Sequence, residues 1–282
     1  MPAEAMQYYT TAGRNYEYGP QKNTNRLLTA YLNYNKYLEG LKSNIDATVG
    51  YDYQYWKSTS PAYAELNTLG ETQTSIAASD QRHTLLSYYA RLNYTYDSRY
   101  MLTATIRRDG TSRFDASTRW GTFPSVALGW RVTEESFLKD NAVLSNLKIR
   151  ASFGITGQQD GIGNYGHLPV YTIGQDGAQY QFGNEYYYTY RPQSYNKLLK
   201  WETTTAYNIG FDFGSLNNRL SGSVDYFRKS TKGYLTSPSA VAYTDPLGIA
   251  LPQVKSNGEF IRQGAEFILQ CSPSLGVDQC PL

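Results

Sequence analysis

A chain of 282 residues has room for one large all-β unit or two ordinary domains, so length alone leaves the architecture open. Charged side chains make up only 18% and the net charge is +2, which offers no basic face for nucleic acid and no acidic face for a cationic partner. A mean hydropathy of −0.55, with no run near the roughly 20 apolar residues of a helical span, excludes membrane helices but not a β-barrel, whose strands are only half apolar.

In chain order, residues 1–24 are polar and rich in Tyr, without the charged and apolar regions of a secretory signal, which implies a segment upstream of Met1. A weak period-2 pattern covers 27–38. Over 44–55 it becomes strict: Ile45, Ala47, Val49, Tyr51, Tyr53 and Tyr55 share one face, and Asn44, Asp46, Thr48, Gly50, Asp52 and Gln54 share the other. It returns with Leu86, Tyr88, Ala90, Leu92, Tyr94 and Tyr96, then with Tyr100, Leu102, Ala104 and Ile106, and weakly over 123–132. The stretch Thr133-Glu134-Glu135-Ser136-Phe137-Leu138-Lys139-Asp140 predicts a brief helical turn with acidic residues at its start. Leu147, Ile149, Ala151, Phe153 and Ile155 resume the alternation. Trp201, Thr203, Thr205, Tyr207, Ile209, Phe211 and Phe213 follow, with weaker copies at 218–229 and 259–270. That makes about nine strands. Cys271 and Cys280 lie in a tail, 271–282, and their spacing fits neither a zinc site nor a CxxC pair; a local disulfide and a tail without function both stay open.

Strand length separates a membrane wall from a soluble sheet. Globular strands average about 5–6 residues and transmembrane strands need about 9–11, and most of these runs reach the longer figure. A face bearing Asp, Arg and Lys is wrong for a packed interior and suits the wet lumen of a wide barrel, so the apolar face is predicted to meet lipid. Tyr53, Tyr55, Trp56, Tyr100, Trp120, Trp130 and Trp201, near strand ends, are expected in interfacial girdles. Connections alternate too: short at 39–43, 97–99 and 215–217, long at 57–83, 157–199 and 230–258, intermediate at 109–122, with 133–145 of moderate length. Short periplasmic turns and longer outside loops give that rhythm, so the first strand descends from outside. An odd count cannot close a single-chain bacterial barrel, which has an even number of strands. The expectation is an all-β, antiparallel transmembrane β-barrel segment over 1–270, with two unpaired edges that make insertion alone costly, and an aberrant tail at 271–282.

No stretch assembles an active site, a cofactor site or a metal site. His83 and His167 are isolated and are expected at the surface beside loops. Glu134 and Glu135 are adjacent in a turn, where two carboxylates point apart, so capping or solvation is expected rather than acid–base work. No Gly-x-Ser-x-Gly elbow, phosphate-binding loop or dinucleotide fingerprint occurs, and Gly161-Ile162-Gly163 reads as a Gly-rich loop. Asn93-Tyr94-Thr95 matches a glycosylation acceptor but lies mid-strand. Arg107-Arg108-Asp109-Gly110-Thr111-Ser112-Arg113 reads as a rim turn in which Arg pairs with Asp109 and Asp115, with a contact to substrate or partner as the second reading. The best binding candidates are the loops 157–199 and 230–258. The first carries Tyr180, Tyr186, Tyr187, Tyr188 and Tyr190, whose rings suit sugar CH groups while Asn and Gln donate hydrogen bonds; packing among the loops explains the same rings.

Several blocks together resemble the SusC/RagA-type TonB-linked outer-membrane proteins. They are Tyr88 to Tyr94, Arg99 to Phe114, Trp120 to Ser125, Leu144 to Gly154, Leu199 to Thr204 and Asn217 to Tyr226, in the family's order over roughly 84–230. The resemblance implies a bacterial outer-membrane barrel of about 22 strands with an internal plug. It further implies energy from a TonB complex, a SusD-like surface lipoprotein as partner, and oligosaccharide or peptide cargo. The plug and the TonB-contacting N-terminal region find no match here, and 271–282 does not continue the barrel pattern. The functional expectation is a wall segment of an importer with no covalent chemistry, in contact with outer-membrane lipid. The alternative is a secreted or surface all-β module for polysaccharide binding or adhesion.

Overall fold

The computed structural model describes residues 14–16, 20–67, 72–139, 141, 143–173, 179–192, 195–236, 254–255 and 258–271. Nine long strands form one antiparallel sheet in unbroken chain order: β1 (Lys22–Leu38), β2 (Ser43–Ser60), β3 (Ser79–Tyr96), β4 (Tyr100–Thr111), β5 (Trp120–Arg131), β6 (Leu144–Gln158), β7 (Glu202–Ser215), β8 (Leu220–Lys232) and β9 (Glu259–Cys271). Each expected strand is present. Their lengths, from 12 to 18 residues, exceed the span of about 9–11 that a bilayer needs. Among the described residues, β1 and β9 pair on one side only, so this sheet is open.

Strands run further at the long-loop end than the alternation suggests. β2 continues to Ser60 and β3 begins at Ser79, while β4 reaches Thr111 and β5 starts at Trp120, so the connections predicted at 57–83 and 109–122 are shorter than expected. The hydropathy alternation stops where Lys57 and Asp80 appear, but the ladder continues, because backbone pairing does not depend on side-chain polarity. At the other end the turns are tight. Asp97 and Ser98 both take positive φ, as the central pair of a type I′ turn does, and Arg99 N donates to Tyr96 O at 2.9 Å within the three-residue loop 97–99. The helical turn expected near 133–140 is a short 3₁₀ turn at Val132–Glu134.

Register sorts most side chains of the sheet's middle onto two faces, with Arg108 and Arg228 outward and Tyr89 and Phe227 inward as exceptions. Leu32, Val49, Ala90, Ile106 and Pro124 stand side by side across β1 to β5 on one face. On the other stand Asn33, Thr48, Arg91, Thr105, Ser125 and Gly154. The apolar row has no protein cover, with Leu32 75% and Ile106 52% exposed. Several glycines lie directly opposite aromatic residues whose rings fold over them. A Cβ on Gly50 would meet Tyr89 at 2.2 Å, one on Gly110 would meet Trp120 at 2.8 Å, and one on Gly222 would meet Phe213 at 2.7 Å. The Asp109-Gly110 pair is therefore strand and not turn: Gly110 makes room for an indole.

β5 and β6 part company at the long-loop end. Their pairing runs from Arg131↔Lys148 only as far as Ser125↔Gly154, although each strand stays paired on its other side to its end. Phe123 fills the fork, so close that a Cβ on Gly157 would lie 2.1 Å from its ring. Around it gather Phe114, Ile162, Leu199 and Trp201, the one buried apolar cluster among the described residues.

Candidate functional site

The lumen-facing side chains form hydrogen-bonded networks that cross strands. Asn33 Nδ2 donates to Asp46 Oδ1 at 2.7 Å and to Thr48 Oγ1 at 2.9 Å, while Asn93, the formal glycosylation acceptor, accepts from Thr103 at 2.9 Å. Asn93 is thus part of the wall. Higher up, Arg107 donates to Asp109 at 2.8 Å and to Ser87 at 2.9 Å, with Asp52 at 3.7 Å. Across β6 to β8, Arg150 binds both Asp212, at 2.8 Å, and Asp225, at 2.9 Å. Opposite charges interleaved on adjacent strands hold register and line a wet surface for polar solutes.

The rim is organised by Arg113, which sequence reasoning treated only as one of several loop cations. Its guanidinium donates to Asn164 Oδ1 at 3.1 Å and to the carbonyl of Gln159 at 3.4 Å, pairs with Asp160 at 3.5 Å, and approaches His83 Nε2 at 3.4 Å. Its own carbonyl lies 3.1 Å from His167 Nδ1. The two histidines therefore correct the surface expectation: His167 is buried, and half-buried His83 stacks on Trp56 with ring centroids 4.4 Å apart. Asp115 is not an arginine partner either. The amide and hydroxyl of Ser117 donate to it at 3.1 and 2.9 Å and hold its carboxyl below the usual range. Below this hub, Trp201 Nε1 donates to Arg119 O at 3.0 Å and Thr118 Oγ1 to Leu199 O at 2.6 Å, stitching 112–119 to 199–201. Ile162 was hidden between two glycines; an apolar residue inside a Gly-rich loop is the signal that marks it.

The candidate tyrosines divide between two small elements. Tyr180, Tyr186, Tyr187 and Tyr188 sit on a hairpin, Gln179–Phe182 with Glu185–Tyr188, closed over Gly183 at φ +63. Tyr190 belongs to Tyr190–Pro192, which pairs with Tyr171–Ile173. Register puts Tyr180 beside Tyr187 and Phe182 beside Glu185 on one face, with Tyr186 and Tyr188 on the opposite face beside Gln181 and Gln179. The structure thus does not gather the five into one patch. Phe182, absent from the sequence reading, lies 4.9 Å from Tyr180 and 6.0 Å from Tyr187, ring centre to ring centre. Glu185 accepts the Tyr187 hydroxyl at 2.6 Å and holds that phenol above its ordinary pKa. All five tyrosines are exposed, from 48% at Tyr188 to 67% at Tyr190.

Five of the seven expected girdle residues belong to the outward face. Tyr53, Tyr55 and Trp120 stand at the long-loop end, and Tyr100 and Trp130 stack at the turn end with ring centres 6.5 Å apart. Trp56 instead faces the lumen with His83, and Trp201 is buried in the fork, because its connection folds back into the gap. Glu135 neither caps nor pairs with Glu134: it accepts from Tyr100 Oη at 2.6 Å, Trp130 Nε1 at 3.1 Å and Arg99 at 3.3 Å, anchoring that girdle to the turn.

An open antiparallel wall with an apolar outer face, a hydrogen-bonded inner face and an elaborate rim defines an outer-membrane β-barrel wall. The chain belongs to the family of TonB dependent receptor-like β-barrels, whose sequence profile matches residues 4–276. It lies in the outer membrane, and the family consists of receptors, not enzymes. The TonB-dependent receptor SusC of Bacteroides thetaiotaomicron is 42% identical over 265 residues, which cover 88% of this chain and 25% of that protein. A TonB-dependent receptor of Formosa agariphila is 32% identical over 83% of this chain and 25% of its own length. Among solved structures, the RagAB peptide transporter matches with a TM-score of 0.74 at 22% identity, covering 91% of this chain and 28% of that one. The chain therefore spans about a quarter of the length of the curated relatives it matches.

Proposed function

We propose that this chain forms part of the barrel wall of a TonB-dependent outer-membrane importer for glycans or peptides. In this reading it works with a SusD-like surface lipoprotein, and with a TonB complex through a part of the receptor other than this wall segment. The carrying observation is the split of nine membrane-length strands into an uncovered apolar face and a cross-linked polar face. A secreted polysaccharide-binding module would not keep Leu32, Ile106 and Ile209 uncovered along one face. The similarity to SusC supports the pairing with a lipoprotein, and the RagAB fold supports the peptide half of the cargo range. Residues 1–270 act as the barrel unit, which β9 extends by one residue to Cys271, so that the proposed tail starts after it; Cys271 is disulfide-bonded, and 272–282 lie outside the described residues.

Tyr180, Tyr186, Tyr187, Tyr188 and Tyr190 offer exposed rings to cargo or partner above the lumen. Replacing all five by Ala in the complete receptor is expected to slow growth on the transported substrate severalfold, with receptor abundance in the outer membrane unchanged. Unaltered growth removes them from the site.

A further inference from the structure

On the outward face at the long-loop end, β1 and β2 enclose a groove of about 350 Å³ that no lumen function uses. Its lining includes Lys22, Thr24 and Arg26 from β1 and Tyr55, Lys57 and Thr59 from β2, above Tyr53. Register sets them on the lipid-facing side: Arg26 stands opposite Tyr55, Thr24 opposite Lys57 and Lys22 opposite Thr59, continuing the row that holds Leu28, Tyr53, Leu32 and Val49. Height follows from strand geometry. Ile45 to Tyr55 spans roughly 33 Å of strand, or about 25 Å along the membrane normal at a tilt of about 40°, which is the height of the apolar band. Lys57, the next outward residue after Tyr55, therefore lies at the level of the outer-leaflet headgroups.

Charge at this level is lopsided. Lys57 shares Asp80 with Arg82, at 3.5 Å from the Lys57 ammonium, whereas among the described residues Lys22 and Arg26 have no ion-pair partner. The Arg26 guanidinium sits 5.9 Å above the Tyr55 ring, which steadies it over the aromatic belt. Two cations without an ion-pair partner among the described residues, a third half-compensated one and the hydroxyls of Thr24 and Tyr55 make a set of separated donors suited to a tetrahedral anion with several oxygens, while the Thr59 hydroxyl donates to the Lys22 carbonyl at 3.4 Å. We infer that this groove binds the net-anionic phosphate headgroup of an outer-leaflet lipid, one whose phosphate charge is not cancelled by a cation of its own, with Lys22 and Arg26 as its principal ligands. The inference does not depend on which cargo the barrel carries.

The test uses the complete receptor that contains this chain, purified in a non-ionic detergent, with lipid retention read by native mass spectrometry and folding by circular dichroism. Phosphatidic acid should be retained and phosphatidylcholine should not. Lys22→Gln/Arg26→Gln is expected to reduce retention roughly tenfold or more. Arg228→Gln/Lys232→Gln removes the same charge from the outward face of β8 and is expected to leave retention unchanged, and Lys22→Arg/Arg26→Lys should preserve it. If the Gln pair does not fold, Thr24→Glu places a carboxylate in the groove and should cause the same loss. Equal loss in the β8 variant reduces the effect to net charge and overturns the proposal. Displacement by millimolar inorganic phosphate also overturns it, in favour of a free-phosphate site.

Discussion

The middle of the wall and its rim are built on different terms. Between the turns and the upper girdle, each strand repeats the same solution: an uncovered apolar side chain outward, a hydrogen-bonding one inward, and a partner set by register. Stability there is spread over many small cross-strand terms of about 0.2–1 kcal/mol each. The rim concentrates it. Phe114 is fully buried, Leu199 is 1% exposed, and the cluster that seals the fork between β5 and β6 joins two separate connections, 112–119 and 159–201, to Phe123 of β5. A membrane wall can be periodic because lipid covers one face of it; a rim in water has to bury apolar surface against itself.

The largest effect should come from the rim. Phe114→Ala is expected to cost about 3–5 kcal/mol locally. Limited proteolysis should then cut 112–119 and 159–199 rapidly while hydrogen exchange in β1 to β3 stays slow. Simultaneous loss of protection in those strands would break the contrast.

A wall network should yield less. Arg150→Met leaves Asp212 and Asp225 without their shared cation, but the three side chains are between 16% and 33% exposed toward a wet lumen. Discounted for that solvent, the loss should be about 1 kcal/mol in urea unfolding, with part recovered by adding Asp212→Asn. A loss as large as that of Phe114→Ala would show that the wall has concentrated anchors of its own.

The smallest effect is set by pH at the turn end. The Tyr100 hydroxyl, then the Trp130 indole and Arg99, favour the charged form of Glu135 and hold its pKa below the usual glutamate value. A depressed carboxyl stabilises the folded state above its unfolded pKa, about 4.3, and that contribution fades as pH falls through the lower folded value. The packing of Trp130 on Tyr100 should therefore loosen below about pH 4, seen as a shift in tryptophan emission that Glu135→Gln shows at every pH. An emission spectrum independent of pH in both proteins would detach Glu135 from the girdle.

Much of this was legible beforehand, and the misses share a cause. The strict alternation over 44–55 located β2, its faces and its girdle residues Tyr53 and Tyr55, since period 2 is a property of a single strand. Trp56 and Trp201 were read as girdle because they too stand near strand ends. Trp56 is one residue out of phase, and Trp201 meets Phe114 and Phe123, which stand 87 and 78 positions earlier in the chain. The five tyrosines were found as a composition, and their division between two hairpin faces and a separate strand is a matter of register.

By itself, the sequence determined nine membrane-length strands, the direction of their faces and the alternation of short and long connections, because each is written in residues within one strand or one turn. Only the tertiary structure decided which glycine receives which ring, where β5 and β6 separate, how Arg113 gathers two buried or half-buried histidines, and that four outward residues near the rim face a shared groove with Lys22 and Arg26. Those features join residues tens of positions apart, and the chain records no local period for contacts that exist only once neighbouring strands have paired.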